Sequence, residues 1–396
     1  MATGSTRWPS AACSQPRCSA WWLRGSGATG AARGLLRPRA LAVFSVGLLV
    51  AGLANGMVAI AAGRVLQGLG SGMLGVALYV GVGQIVPKPL HPRLFALFAA
   101  AWVVPGPVGP PIAALLVEWF GWRSVFLVVA LIVPVAAALL LPSLRVSPEK
   151  QAPPRTHSAL VWAALAAAGA LLLNAAGSAA SLAGTLAMGA AGALVALMAA
   201  RPLLPRGSLA AAPGLPSVIA LRGLLAAGFG TAEAFVPLYL NRAHDWSLAQ
   251  AGVALSVGAV CWSAGSAVQA RLKAERTRQR GLSAGLALVA AGTAIVTLPA
   301  LLPVPAAVLV AGWAVAGFGI GLSFPMLSVL TLQLSPAEEQ GRNASALQLA
   351  DALTSSAALA LAGALFAHGG GFVAVMAVAV ALPSLAALLS RRLRPT

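Results

Sequence analysis

Four charged side chains stand inside long apolar stretches of the sequence: Arg64, Arg222, Glu233 and Asp351. An ionisable group in such surroundings is costly to keep charged, so each is a candidate for handling protons or polar substrate. Arg64, Gln67 and Ser71 occupy positions i, i+3 and i+7, which share one face of a helix. Facing a central cavity, Arg64 would tune a nearby carboxylate; at the outer end of a helix it would snorkel to the interface. Glu233 lies deep in a segment that begins near residue 215, where burial penalises the charged form and suits a group that takes up and releases protons. Arg222 is eleven residues earlier, on nearly the same helical face but ~16 Å along the axis. The two cannot pair, and Arg222 is close enough to the segment's end to read as an interfacial anchor. Asp351, with Gln348 at i−3 and Ser355 at i+4, makes a polar stripe. It is either a second protonation or substrate-contact site, or a structural acceptor satisfied by neighbouring helices. Trp102, Phe229, Phe235, Tyr239, Trp262, Trp313 and Phe324 lie in segments that could line a cavity, and of these Trp102, Phe229, Tyr239 and Trp262, with Gln67 and Gln348, are the candidate substrate contacts. An aromatic, apolar cavity suits hydrophobic or cationic solutes.

Enzymatic chemistry has little to work with. A membrane enzyme needs clustered His, Asp or Glu, or a nucleophile beside its base. The four histidines (His91, His157, His244 and His368) lie in or beside loops, and neither an HExxH motif nor a Walker motif occurs. Cys13, Cys18 and Cys261 lack metal-ligand spacing. No cofactor and no metal are expected.

The elements that position these residues follow from composition. Of 396 residues 59% are hydrophobic and 9% charged, with a mean hydropathy of +0.88, whereas soluble chains carry roughly 25% charged residues. Such a chain has too little polar side chain to cover a water-facing surface, so its solvent is lipid. The excess of 26 basic over 8 acidic residues sits in short gaps between apolar runs, which argues against nucleic acid as a partner. Twelve apolar runs are long enough to cross ~30 Å of hydrocarbon as helices. They fall at roughly 41–58, 60–86, 94–117, 124–142, 159–178, 182–200, 215–241, 248–270, 282–302, 305–334, 344–367 and 371–390. No barrel-like alternation appears. With the N-terminus inside, the inner segments hold 22 Lys and Arg and the outer loops two, Arg123 and Arg242. That asymmetry places both termini in the cytoplasm.

A repeat links two parts of the chain. Residues 62–72, AGRVLQGLGSG, and 311–321, AGWAVAGFGIG, share the pattern A-G-x4-G-x-G-x-G. They fall in the second and the tenth run. If the last six runs form one bundle, the tenth is its fourth member, so the mate in the first bundle should also be fourth. Two helices are therefore expected ahead of the first run, the duplicated-half plan of many transporters.

These segments resemble the major facilitator superfamily. Arg64–Gly72, RVLQGLGSG, is similar to that family's fourth-helix motif, with its structural glycines at Gly68, Gly70 and Gly72. Residues 102–111, WVVPGPVGPP, resemble the fifth-helix glycine-proline motif of drug:proton antiporters through Gly106, Gly109 and Pro110. Residues 122–126, WRSVF, resemble the signature that opens their sixth helix, and two extra runs separate the halves as in the fourteen-helix branch. The departures are Ala113 and Ala114 where that branch has paired glycines, and no acidic residue before Glu118. Residues 1–36 form no apolar helix and read as a shifted frame or a misplaced start, or as a disordered basic tail.

The resemblance implies an all-α polytopic membrane protein with a two-bundle fold of about 12 transmembrane helices. Its expected parts are a basic segment 1–40, an incomplete N-terminal bundle 41–142, a loop with two extra helices 143–214, a C-terminal six-helix bundle 215–390 and a basic tail 391–396. It further implies a monomeric multi-pass transporter of the cell membrane, with the lipid bilayer, a small-molecule substrate and protons as partners. Proton-coupled efflux by alternating access would use Arg64, Glu233 and Asp351. Uptake or exchange of another solute, and a truncated chain that does not transport, are the alternatives.

Overall fold

A computed structural model describes residues 36–85, 90, 93–94, 97–98, 101, 112, 115–143, 157–176, 181–272, 274–336 and 338–393. The described residues are helical and turn-forming, with no strand among them. Eleven long helices follow in order: α1 Leu36–Gly52, α2 Met57–Ile85, α3 Arg123–Ser143, α4 His157–Ala176, α5 Leu182–Leu203, α6 Leu215–His244, α7 Leu248–Arg271, α8 Glu275–Leu301, α9 Ala306–Gln333, α10 Gln340–Leu365 and α11 Gly371–Leu389. Eleven of the twelve apolar runs are these helices; most of the run at 94–117 lies outside the described residues, as do residues 1–35 and the two helices expected before them. Among the described residues six helical stretches are long and apolar enough to cross a membrane, the last of them, Gln340–Leu389, being two helices on either side of a turn. The helix expected from residue 282 begins seven residues earlier, at Glu275. Its charged first turns are good helix formers even though they are not apolar.

The chain divides into two compact units, Met1–Leu74 with Val129–Glu149, and Gly75–Val128 with Lys150–Thr396. In the first, α1 and α2 approach through glycine. A Cβ at Gly63 would stand 2.7 Å from the Ala51 nitrogen, and one at Gly70 would stand 2.5 Å from that of Phe44.

The second unit contains the α4–α5 hairpin and α6–α11. The hairpin closes on glycine as well, with Gly169 against Ala196 and Gly192 against Leu173, and it packs on α10. Helix starts carry their own signals. Ser181 caps α5 by accepting from the Gly184 amide at 3.1 Å, Pro216 sits in the first turn of α6, and Ser247 with Gln250 forms a capping box on α7. A tight turn at Phe366–Gly370 joins α10 to α11, with Gly369 and Gly371 at φ +89° and +61° where side-chain-bearing residues are strained.

Helix α9 is the centre of this unit, packed between α7 and α8. Its glycines divide the work. Gly317 and Gly321 lie against the backbone of α7 at Gly258 and Trp262, while Gly312 and Gly319 lie against α8 at Ile295 and Gly285. The repeat acquires a structural meaning here. Gly63 and Gly70 are the mates of Gly312 and Gly319, and each pair, seven residues apart, meets the preceding helix of its own unit. Small residues on a shared stripe allow backbones to close in lipid, where packing rather than the hydrophobic effect holds helices together.

Candidate functional site

Arg222 sits in the third turn of α6 and Asp351 midway along α10. Gly223 brings the two helices together, since a Cβ there would stand 3.0 Å from the Thr354 side chain. The Thr354 hydroxyl donates to the Gly223 carbonyl at 2.8 Å. At that crossing the Arg222 Nε donates to both Asp351 carboxylate oxygens, at 3.2 and 3.0 Å. Its Nη1 donates to the Phe324 carbonyl at 3.0 Å and to the Ser328 hydroxyl at 2.8 Å, both on α9. The guanidinium also lies 3.2 Å from the centroid of the Phe324 ring. Arg222 is 6% exposed and Asp351 22% at their side chains.

Three helices thus converge on one buried cation. The interfacial-anchor reading of Arg222 is corrected by this geometry: the side chain turns into the bundle because a carboxylate, a carbonyl and a hydroxyl meet it there. A signal for this pairing was present in the sequence. Two opposite charges occur in apolar segments of one bundle, at depths differing by only ~6 Å; a sequence alone does not say that α6 and α10 are neighbours.

The Phe324 ring continues into an aromatic wall. Trp262 meets Phe324 edge-on at 5.6 Å, and Phe229 meets Trp262 at 5.5 Å. Phe229 stacks on Trp313 at 4.5 Å. Trp313 is fully buried and its indole donates to the Leu255 carbonyl at 3.3 Å, while the indole nitrogen of Trp262 is buried without a partner among the described residues. All four rings of this wall, Phe229, Trp262, Trp313 and Phe324, are among the aromatic residues that the sequence placed in cavity-lining helices. Removing the Trp313 side chain deletes the back of this wall. Trp313→Ala is expected to cost about 3–5 kcal/mol, read as a lowered melting temperature of detergent-solubilised protein; a variant melting like the parent would contradict its place in the core.

The other nominated residues are spread out. Glu233 is exposed on α6, ~16 Å along the axis from Arg222. Tyr239 is buried near the end of α6, edge-to-face with Phe372 at 4.9 Å and His244 at 5.5 Å. Gln348 is half-buried one turn before Asp351. In the first unit, the Arg64 Nη1 donates to the Gln67 side-chain Oε1 at 3.2 Å, and the Nε2 of Gln67, itself buried, donates to the Gly47 carbonyl at 3.2 Å. Gln67 is therefore a strut between α2 and α1. Gly70 lies in the same contact, whereas a Cβ at Gly68 or Gly72 would meet nothing within 4 Å among the described residues. Trp102, Gly106, Gly109 and Pro110 lie outside the described residues. Among the described residues no cluster of His, Cys, Asp and Glu could hold a metal.

Comparison with known proteins supplies the family. The Major Facilitator Superfamily model matches residues 37–350 and again 218–396. A Mycobacterium tuberculosis protein described as a probable multidrug-efflux transporter is 29% identical over 373 residues, covering 88% of this chain and 77% of its own. Among solved structures, the human organic anion transporter MFSD10 superposes with a TM-score of 0.66 at 16% identity, over 90% of this chain and 77% of that one. The proton:xylose symporter XylE superposes with a TM-score of 0.61 at 14% identity, over 92% and 80%. At such identities the superpositions speak for the fold. An all-helical, multi-pass architecture, a charge pair buried between its helices and a family model spanning nearly the whole chain have one reading: the chain belongs to the major facilitator superfamily and is a membrane transporter, not an enzyme.

Proposed function

We propose that this transporter exports small hydrophobic, drug-like solutes, including cationic ones, by proton-coupled alternating access. The observation that carries the reading is the placement of two carboxylates at different depths beside α6, Asp351 reaching it from α10 and Glu233 on α6 itself. Asp351 is engaged by Arg222, and Glu233 is exposed farther along the helix. An exposed carboxylate in a membrane span can hold a proton or a cationic solute but not both at full strength, which links entry of one to exit of the other. The similarity to the mycobacterial protein described as a multidrug-efflux transporter favours a drug-like substrate.

In this scheme the two bundles rock about a central site. The aromatic wall from Phe324 to Trp313 receives the apolar body of the solute. Arg64 joins Glu233 and Asp351 in the coupling, with Gln67 beside it, and Gln348 and Tyr239 contact the solute; Trp102, the remaining nominated contact, lies outside the described residues. In this scheme the working parts are an N-terminal bundle at 41–142, two extra helices within 143–214 and a C-terminal bundle at 215–390, and the protein is a monomer in the cell membrane with both termini cytoplasmic, as the distribution of Lys and Arg favours.

Reconstituted protein tests it. With ethidium as the probe and an imposed pH gradient, Glu233→Gln is expected to lower gradient-driven flux about tenfold or more, within the ~1–3 kcal/mol typical of coupling between two sites. Driven flux equal to the parent's would remove Glu233 from the coupling. A parent that moves no ethidium in response to the gradient would favour another solute, or a chain that does not transport.

A further inference from the structure

We infer that His244 is the outer port of the proton path that serves Glu233, an inference that rests on the proton-coupled reading above. Helix α6 carries Arg222, Glu233 and His244 at steps of eleven residues. Eleven residues are just over three whole turns, so the three side chains fall within ~40° of one another on a single face, each ~16 Å along the axis from the next. One helix therefore lines up an imidazole at its end, a carboxylate at mid-length and the Arg222–Asp351 pair near its start. On the orientation proposed above, that is the order from outside to inside.

His244 has the surroundings of a group that exchanges protons. It is the last residue of α6, and its Nε2 is buried with no hydrogen-bond partner among the described residues. Buried polar atoms are nearly always satisfied, so an orphaned ring nitrogen calls for water or for a transferable proton. Histidine is the side chain that gains and loses a proton near neutral pH. The protonated ring would sit at the negative end of the α6 dipole and beside the Tyr239 ring, 5.5 Å away and edge-to-face with it.

The charged neighbours are few. Asp245 follows directly and is exposed, and the Arg242 guanidinium lies 5.6 Å from the Phe366 ring. His368 is exposed, with its Nδ1 2.9 Å from the Ala364 carbonyl. Helices α9 and α11, which pack against α6, contain no Asp, Glu, Lys, Arg or His. Those of α7, α8 and α10 lie toward the other end, at Arg271, Glu275–Arg280, Arg342 and Asp351.

The backbone between these stations is also opened. Pro237 has no N–H to give the Glu233 carbonyl, so that acceptor is left on the face between Glu233 and His244. On the other side of Glu233, a Cβ at Gly230 would meet nothing within 4 Å among the described residues. The transfer needs only N–H and O–H bonds. A proton from outside binds Nε2, leaves to water, and is taken up by the Glu233 carboxylate.

The experiment uses the full chain in proteoliposomes with ethidium, comparing the parent with His244→Phe and His244→Gln. Two fluxes are measured: one driven by a pH gradient, and ethidium exchange at equal pH, which moves no net proton. Both variants are expected to slow the driven flux about tenfold and to leave exchange within about twofold of the parent. Gly230→Leu, which fills the open position on the same face, is expected to slow the driven flux as well. Unchanged driven flux in both His244 variants would overturn the port, and so would a parallel loss of exchange, which marks a structural role. A parent without gradient-driven flux would overturn the proton-coupled reading itself, and this inference with it.

Discussion

Asp351→Asn will destabilise the second unit and stop transport, because it leaves the Arg222 guanidinium buried without its counter-charge. In the parent the Nε edge meets both carboxylate oxygens. An asparagine offers one acceptor and no charge, and its amide nitrogen would oppose the guanidinium. Breaking a buried pair by removing one partner costs about 3–5 kcal/mol, far more than the pair's net worth against apolar residues of similar size. The double replacement Arg222→Met with Asp351→Leu separates the two quantities. It is expected to recover most of the melting temperature, since no stranded charge is left, while flux stays absent. A single Asp351→Asn variant that melts and transports like the parent would show that the pair is dispensable for both.

The second large effect is steric. Gly258 on α7 lies against the Trp313 indole, and Gly317 on α9 lies against the Gly258 carbonyl, so no space remains for a methyl group on either side. Gly258→Ala would drive the helices apart or push Trp313 off Phe229, at an expected cost of about 1–3 kcal/mol or more. Gly252, on the same helix, has nothing within 4 Å of an added Cβ among the described residues. Gly252→Ala is therefore expected to stabilise by roughly 0.5–1 kcal/mol through helix propensity. Thermal melts of the two variants side by side check the contrast. Equal shifts would mean that the α7–α9 contact is looser than the glycine packing requires.

The glycine pattern shows how far a sequence reading reaches. The motif at 62–72 and its mate at 311–321 were recognisable as a repeat because spacing survives in one dimension. Which neighbour each glycine faces was not, because that depends on where the other helices stand. Gly312 and Gly319 turn to α8 and Gly317 and Gly321 to α7, although all four read alike in sequence. Gln67 follows the same logic. Its place on the face of Arg64 suggested a cavity, yet its amide ties α2 to α1 at Gly47.

The charged residues divide in the same way. Arg64, Arg222, Glu233 and Asp351 announced themselves by standing in apolar segments, which is a one-dimensional fact. Arg222 and Asp351 are 129 residues apart in the chain, and their pairing exists only because Gly223 lets α10 close on α6. The sequence by itself determined that the chain is helical and lives in lipid, because the bilayer forces apolar runs of about 20 residues to satisfy their backbone internally. Tertiary structure alone decided that Arg222 is a buried pivot between α6, α9 and α10 and not a surface anchor. Depth along a helix can be counted from residues, but the partner that compensates a buried charge is supplied by another helix, and only packing brings it within 3 Å.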